Sequence, residues 1–145
     1  VYNVATLMRL RDAVGPMVGA NLDPSHLFWM GADPLVAARA LGEAIYHVHA
    51  KDTRIDPLIG ATNGTLETTP GMQYQNRSWN YITLGYGHGE QWWGSFCAAL
   101  AAVGYDGVLS IEHEDRMMPP VEGVEKSVSL LERTVVNRPR RKKPH

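Results

Sequence analysis

Ala44-Ile-Tyr-His-Val-His-Ala50 is the stretch whose reading decides the fold. Tyr46 and Val48 alternate with His47 and His49, and Ile45 extends the apolar character at its start. A period of two describes a strand with one apolar face and one imidazole face. The same pattern recurs upstream in Met17-Val-Gly-Ala-Asn-Leu-Asp23, where Val18, Ala20 and Leu22 oppose Gly19, Asn21 and Asp23. It recurs downstream in Gly107-Val-Leu-Ser-Ile-Glu112, where Ser110 and Glu112 oppose Leu109 and Ile111.

Helical patterns separate these strands. Residues 4–13 bring Leu7, Leu10 and then Val14 to one face before Gly15-Pro16 stops them. Asp33 is an N-cap with Pro34 at the first helical position, and that helix is predicted to run to about residue 43. Residues 90–103 (Trp93, Phe96, Leu100) and 121–136 (Val124, Val128, Leu131, Val135) give two more. Residues 51–90 show no convincing periodicity. They hold Gly60, Asn63-Gly64, Pro70-Gly71 and Gly85-Tyr-Gly-His-Gly89, and read as one long functional or disordered loop. The alternation predicts an α/β fold of parallel strands joined by right-handed helical crossovers, with three strands too few to close a barrel.

Composition fits a globular domain, with 44% apolar and 20% charged residues among 145. No stretch approaches the roughly 20 apolar residues that cross a bilayer, so no membrane role is expected. The first ten residues do not read as a signal peptide, and a start at Val1 rather than Met suggests a fragment or processed product. The single cysteine, Cys97, excludes an internal disulfide framework and suits a reducing cytoplasm; within the apolar run 96–100 it reads as a buried thiol. The net charge of −1 is uneven. Five of the 14 basic residues (Arg138, Arg140, Arg141, Lys142, Lys143) lie at the end, leaving nine against 15 acidic ones in the body. An acidic body argues against nucleic acid as a partner. The terminal residues 138–145 read as a basic disordered tail.

All three strands end in side chains able to bind a metal: Asp23, with His26 three residues on; His47 and His49; and Glu112, followed by His113, Glu114 and Asp115. Ligands of parallel α/β folds bind at the carboxyl ends of strands. Taken singly, a strand-end Asp reads more readily as a cap and a lone His as a satisfied core residue. Recurrence on three strands with one polar parity favours a joint site. A carboxylate, an imidazole and a carboxylate suit a divalent cation such as Mn²⁺, Mg²⁺, Co²⁺ or Zn²⁺. Such an ion can hold hydroxyl and carbonyl oxygens of a sugar and stabilise an enediolate.

Gly19-Ala-Asn-Leu-Asp-Pro-Ser-His26-Leu-Phe-Trp29, Ile45-Tyr-His-Val-His-Ala-Lys-Asp52 and Gly104-Tyr-Asp-Gly-Val-Leu-Ser-Ile-Glu-His-Glu-Asp115 resemble the xylose-isomerase-like sugar phosphate isomerase/epimerase superfamily. That group is similar in fold to endonuclease IV and the ketohexose 3-epimerases. The resemblance implies a TIM (β/α)₈ barrel whose metal is held by Glu, Asp, His and Glu from its last four strands. Asp23, His49 and Glu112 would be the last three of these. His26 would be a substrate-contacting or metal-proximal histidine, and Glu112 one member of the acid/base pair. On this resemblance residues 1–137 are the C-terminal part of the barrel: about the last three βα units and a preceding helix, beginning near the fifth helix. A ligand and a catalytic group would then lie outside the segment, so this chain alone is expected to be incomplete.

The implied function is a divalent-metal-dependent isomerase or epimerase of a sugar, sugar phosphate or polyol, working through an enediolate. Self-association into a homo-oligomer stays open. Lys51, Asp52 and Arg54, after the His49 strand, are candidate contacts for a sugar hydroxyl or phosphate, with plain surface charge as the alternative. His88 is a candidate substrate contact in a glycine-rich setting, with a structural turn as the alternative. Gly85-Tyr-Gly-His-Gly89 lacks the Gly-Lys-Ser/Thr ending of a phosphate loop. Two competing readings are an endonuclease IV-like metal hydrolase and an inactive barrel fragment. The first is disfavoured because no Asp-x-His pair occurs between Asp52 and Glu90.

Overall fold

Asn3 opens the first helix, α1 (Val4–Val14), by accepting a hydrogen bond from the Thr6 amide at 2.9 Å. Gly15, with φ +88°, ends it. After strand β1 (Ala20–Leu22), Asp-Pro dipeptides punctuate the chain. Asp23-Pro24 starts α2 (Pro24–Met30), Asp33-Pro34 starts α3 (Pro34–Leu41) and Asp56-Pro57 starts α4 (Pro57–Asn63). Each aspartate accepts from backbone amides of the first turn, and proline at the first helical position forfeits no hydrogen bond there. Between α3 and α4 lie β2 (Ile45–Ala50) and β3 (Asp52–Ile55). The chain then continues through β4 (Trp79–Ile82), α5 (Glu90–Ala102), β5 (Leu109–Ile111) and α6 (Pro120–Thr134). The computed structural model describes residues 1–136, so the basic stretch 138–145 expected to form a tail lies outside the described residues.

β1, β2 and β5 form one parallel sheet in that order, with Leu22 opposite Val48 and Val48 opposite Leu109. The apolar parity faces helices at Ala20, Leu22 and Val48, while Tyr46, expected on the same face, is half exposed. Ala20, Leu22, Val48 and Ala50 join Ala38, Leu41, Trp93, Phe96, Leu100 and Leu131 in one core. The opposite parity carries Asn21, His47, His49 and Ser110, and His47 Nε2 lies 2.8 Å from Ser110 Oγ. The fold is an α/β arrangement of parallel strands and covering helices that, among the described residues, does not close into a barrel.

Several expected elements need correction. The first strand is three residues long rather than seven: it pairs with β2 only over Ala20–Leu22, with a register shift between Ala20 and Asn21, and the Tyr46 ring packs over Gly19 just before it. Residues 24–30, left without an element by periodicity, form α2. Residues 51–90 are not one loop: β3 and β4 pair antiparallel, Asp52 opposite Ile82 and Ile55 opposite Trp79. Between them run α4 and a 3₁₀ segment, Gly71–Asn76. The excursion is tied at its base, where the Asp56 amide donates to the Ser78 carbonyl at 2.8 Å. Farther out, Trp79 Nε1 donates to the Thr65 carbonyl at 2.9 Å and the Ser78 amide donates to Glu67 Oε1 at 2.7 Å.

Candidate metal centre

Asp23 ends β1 and caps α2, and its two oxygens divide that work. Oδ1 accepts from the Ser25 amide at 2.9 Å and the Ser25 hydroxyl at 2.6 Å. Oδ2 is turned to the other side, 3.6 Å from His49 Nδ1 and 3.5 Å from His26 Nε2. Glu112, just past β5, is divided in the same way. Its amide still pairs with the Ala50 carbonyl at 3.2 Å, which fixes its height above the sheet. Oε1 lies 3.2 Å from Lys51 Nζ, while Oε2 lies 2.9 Å from His49 Nδ1.

Asp23, His49 and Glu112 each present one ligand atom, and these atoms lie within 4.8 Å of one another. Oxygen and nitrogen ligands about 2.1 Å from one ion stand roughly 3 Å apart at right angles and about 3.4 Å apart at tetrahedral angles. The separations of 2.9 Å and 3.6 Å at His49 Nδ1 match that spacing. Two of the three ligand separations thus fit a divalent ion, and the third, between the carboxylates, is within 4.8 Å. The fit is chemical as well as geometric, since each carboxylate keeps one oxygen occupied elsewhere and one turned to the common point.

Lys51 borders this cluster and is not a surface charge: its side chain is 3% exposed. Its ammonium bridges Glu112 and Glu114, 3.1 Å from Glu114 Oε2, and stands 3.9 Å from the centroid of the Tyr81 ring. Tyr81 was missed by sequence reasoning because it lies on β4, inside the presumed loop. Its hydroxyl is 3.1 Å from His26 Nδ1. Burial, followed by the nearby carboxylates Asp23, Glu114 and Glu112, pushes the Tyr81 phenol up to about 12. His26 thus bridges a candidate ligand and a neutral phenol.

His88 and Arg54 have other surroundings. Asp52, fully buried, accepts from the amides of Thr53, Gly85, Gly87 and His88, from Trp93 Nε1, and from His88 Nδ1 at 2.8 Å. A side chain at Gly87 would collide with Asp52 and the Thr53 carbonyl, so the glycine-rich loop wraps the carboxylate closely. The His88 ring is stacked on Phe28 with centroids 3.6 Å apart. Arg54 is exposed on β3, opposite Asn80. Beside the cluster a groove of about 960 Å³ opens, lined by Asp23, His26 and Asn21 and by the apolar Trp29, Leu27 and Leu66.

A family model described as a xylose isomerase-like TIM barrel matches residues 1–134. The chain belongs to the xylose isomerase-like TIM barrel family. The uncharacterized protein YfiH of Bacillus subtilis (strain 168) is 54% identical over 135 residues, which are 93% of this chain and 43% of that protein. The rhizopine catabolism protein MocC of Rhizobium meliloti is 32% identical over 106 residues, 73% of this chain and 31% of that protein. A crystal structure of a xylose isomerase domain protein from Planctomyces limnophilus superposes with a TM-score of 0.61 at 22% identity, covering 91% of this chain and 44% of that one. That likeness shows the fold. The chain spans less than half the length of each of these proteins.

Proposed function

We propose that the chain supplies the metal-binding part of a sugar or polyol isomerase or epimerase that moves a proton between carbon atoms. The observation that carries this reading is the convergence of Asp23, His49 and Glu112 within 4.8 Å at three successive parallel strand ends. A bound Mn²⁺, Mg²⁺, Co²⁺ or Zn²⁺ would polarise a substrate carbonyl and stabilise the negative charge of an enediolate. Glu112 is the candidate acid/base, because its carboxylate stands at the cluster with one oxygen steadied by Lys51. Lys51 and His26 are the nearest candidate contacts for substrate oxygens, with Arg54 and His88 as more peripheral ones. The MocC relative, by its name a catabolic protein, points the same way.

The test is calorimetric titration of the chain with Mn²⁺ and Zn²⁺, beside H49A and E112Q. Loss of a ligand is expected to weaken binding by about 100-fold or more, as removal of groups acting directly on a metal exceeds the 10–100-fold typical of their outer partners. Equal affinity in the substituted and unsubstituted chains would refute the site. Incubating a longer form with ketoses, and following epimer formation, tests the reaction class.

A further inference from the structure

Asn21 breaks a local rule. Asn is depleted in strands, yet it occupies the centre of the three-residue β1, between the buried Ala20 and Leu22. Departures of this kind concentrate at functional positions. Its side-chain amide reaches across to β2, with Nδ2 3.1 Å from Nε2 of His49. The opposite nitrogen of that ring, Nδ1, faces Glu112 and Asp23.

We propose that Asn21 is a positioning residue that sets the ring tautomer of His49 and so its competence as a ligand. The inference rests on the metal reading and deepens it. With no ion bound, the Glu112 carboxylate at 2.9 Å can only accept, so the neutral ring carries its proton on Nδ1. Nε2 then holds a lone pair, and the Asn21 amide donates to it. A ligating ring has the reverse need. Nδ1 must offer its lone pair, and the proton resides on Nε2, where it requires an acceptor. A half-turn of Asn21 about χ2 exchanges Nδ2 for Oδ1 and meets that need without moving the ring. The ring loses one proton at Nδ1 and gains one at Nε2, so its charge is unchanged. A primary amide satisfies both tautomers from one position, whereas a hydrocarbon serves neither and a carboxylate serves only the second.

The experiment compares the full chain with N21L, of similar size but without polar atoms, and N21D, which only accepts. ¹⁵N NMR of labelled histidine reads the His49 tautomer, and calorimetry with Zn²⁺ reads affinity. The expected results are an Nδ1–H ring in the ion-free chain and conversion to Nε2–H on adding Zn²⁺. N21D should carry the Nε2 proton before any metal is added. N21L should bind Zn²⁺ about 10- to 100-fold more weakly, while N21D retains tight binding. Unchanged Zn²⁺ affinity in N21L, or an ion-free N21D ring still protonated only on Nδ1, overturns the proposal. Failure of the unsubstituted chain to bind Zn²⁺ overturns the metal reading instead, and the ion-free tautomer of N21D then still decides the role of Asn21.

Discussion

Tyr81 shows how one side chain registers the charge around it. Burial and three neighbouring carboxylates all disfavour its phenolate, which holds the phenol up at about 12 against an ordinary 10.0. The folded chain therefore binds this proton more tightly than the unfolded chain does. The resulting stability is complete below pH 10 and drains away as the pH rises from there toward 12. An ultraviolet titration of the six tyrosines is expected to show late ionisation from Tyr81 and, by its burial, Tyr105, and the part near pH 12 should disappear in Y81F. Tyrosines that all ionise near pH 10 would contradict the burial and the carboxylate cluster together. At this scale the sequence was informative for ligands and silent for their partners. Asp23, His49 and Glu112 announce themselves by parity at strand ends. Tyr81 shares no strand pattern with them and enters only because a distant pairing carries it there.

Among the elements, the loop at residues 85–89 depends on a single buried carboxylate. Asp52 begins β3 and gathers the backbone amides of that loop together with the His88 ring and the Trp93 indole. Removing it leaves several buried donors without an acceptor, so D52A is expected to lose about 3–5 kcal/mol in urea unfolding. A loss below about 1 kcal/mol would mean that water replaces the carboxylate. The sequence offered a partial route to this architecture. The Asp-Pro at 33–34 was legible as a helix start, and those at 23–24 and 56–57 carry the same signal and also open helices. The hairpin was harder to read. Asp-Thr-Arg-Ile and Trp-Asn-Tyr-Ile are four residues each, mix polar with apolar positions, and find one another across a long separation. Short strands lacking a hydrophobic run are specified by their partner rather than by their own pattern.

For the molecule as a whole, binding and stability are linked. A ligand that binds only the folded chain stabilises it by about 2.7 kcal/mol at a free concentration one hundred times its Kd. Thermal melts in excess Mn²⁺ are therefore expected to rise over melts in chelator, and H49A should abolish the difference. A rise of equal size in H49A would locate the ion elsewhere. The parallel sheet and the division between its core face and polar face were readable from alternation, because burial on one side forces it, while the order of the strands was not.

The excursion between β3 and β4 leaves and rejoins the domain at the paired ends of those strands, where the Asp56 amide meets the Ser78 carbonyl. Thr65 and Leu66 reach from it to the groove beside Asp23, whereas the strands that carry the acidic and imidazole groups belong to the other sheet. Lineages could lengthen, shorten or exchange this flap while the ion-holding end of the sheet stayed as it is. The same junction offers a place to graft a reporter or a new recognition loop.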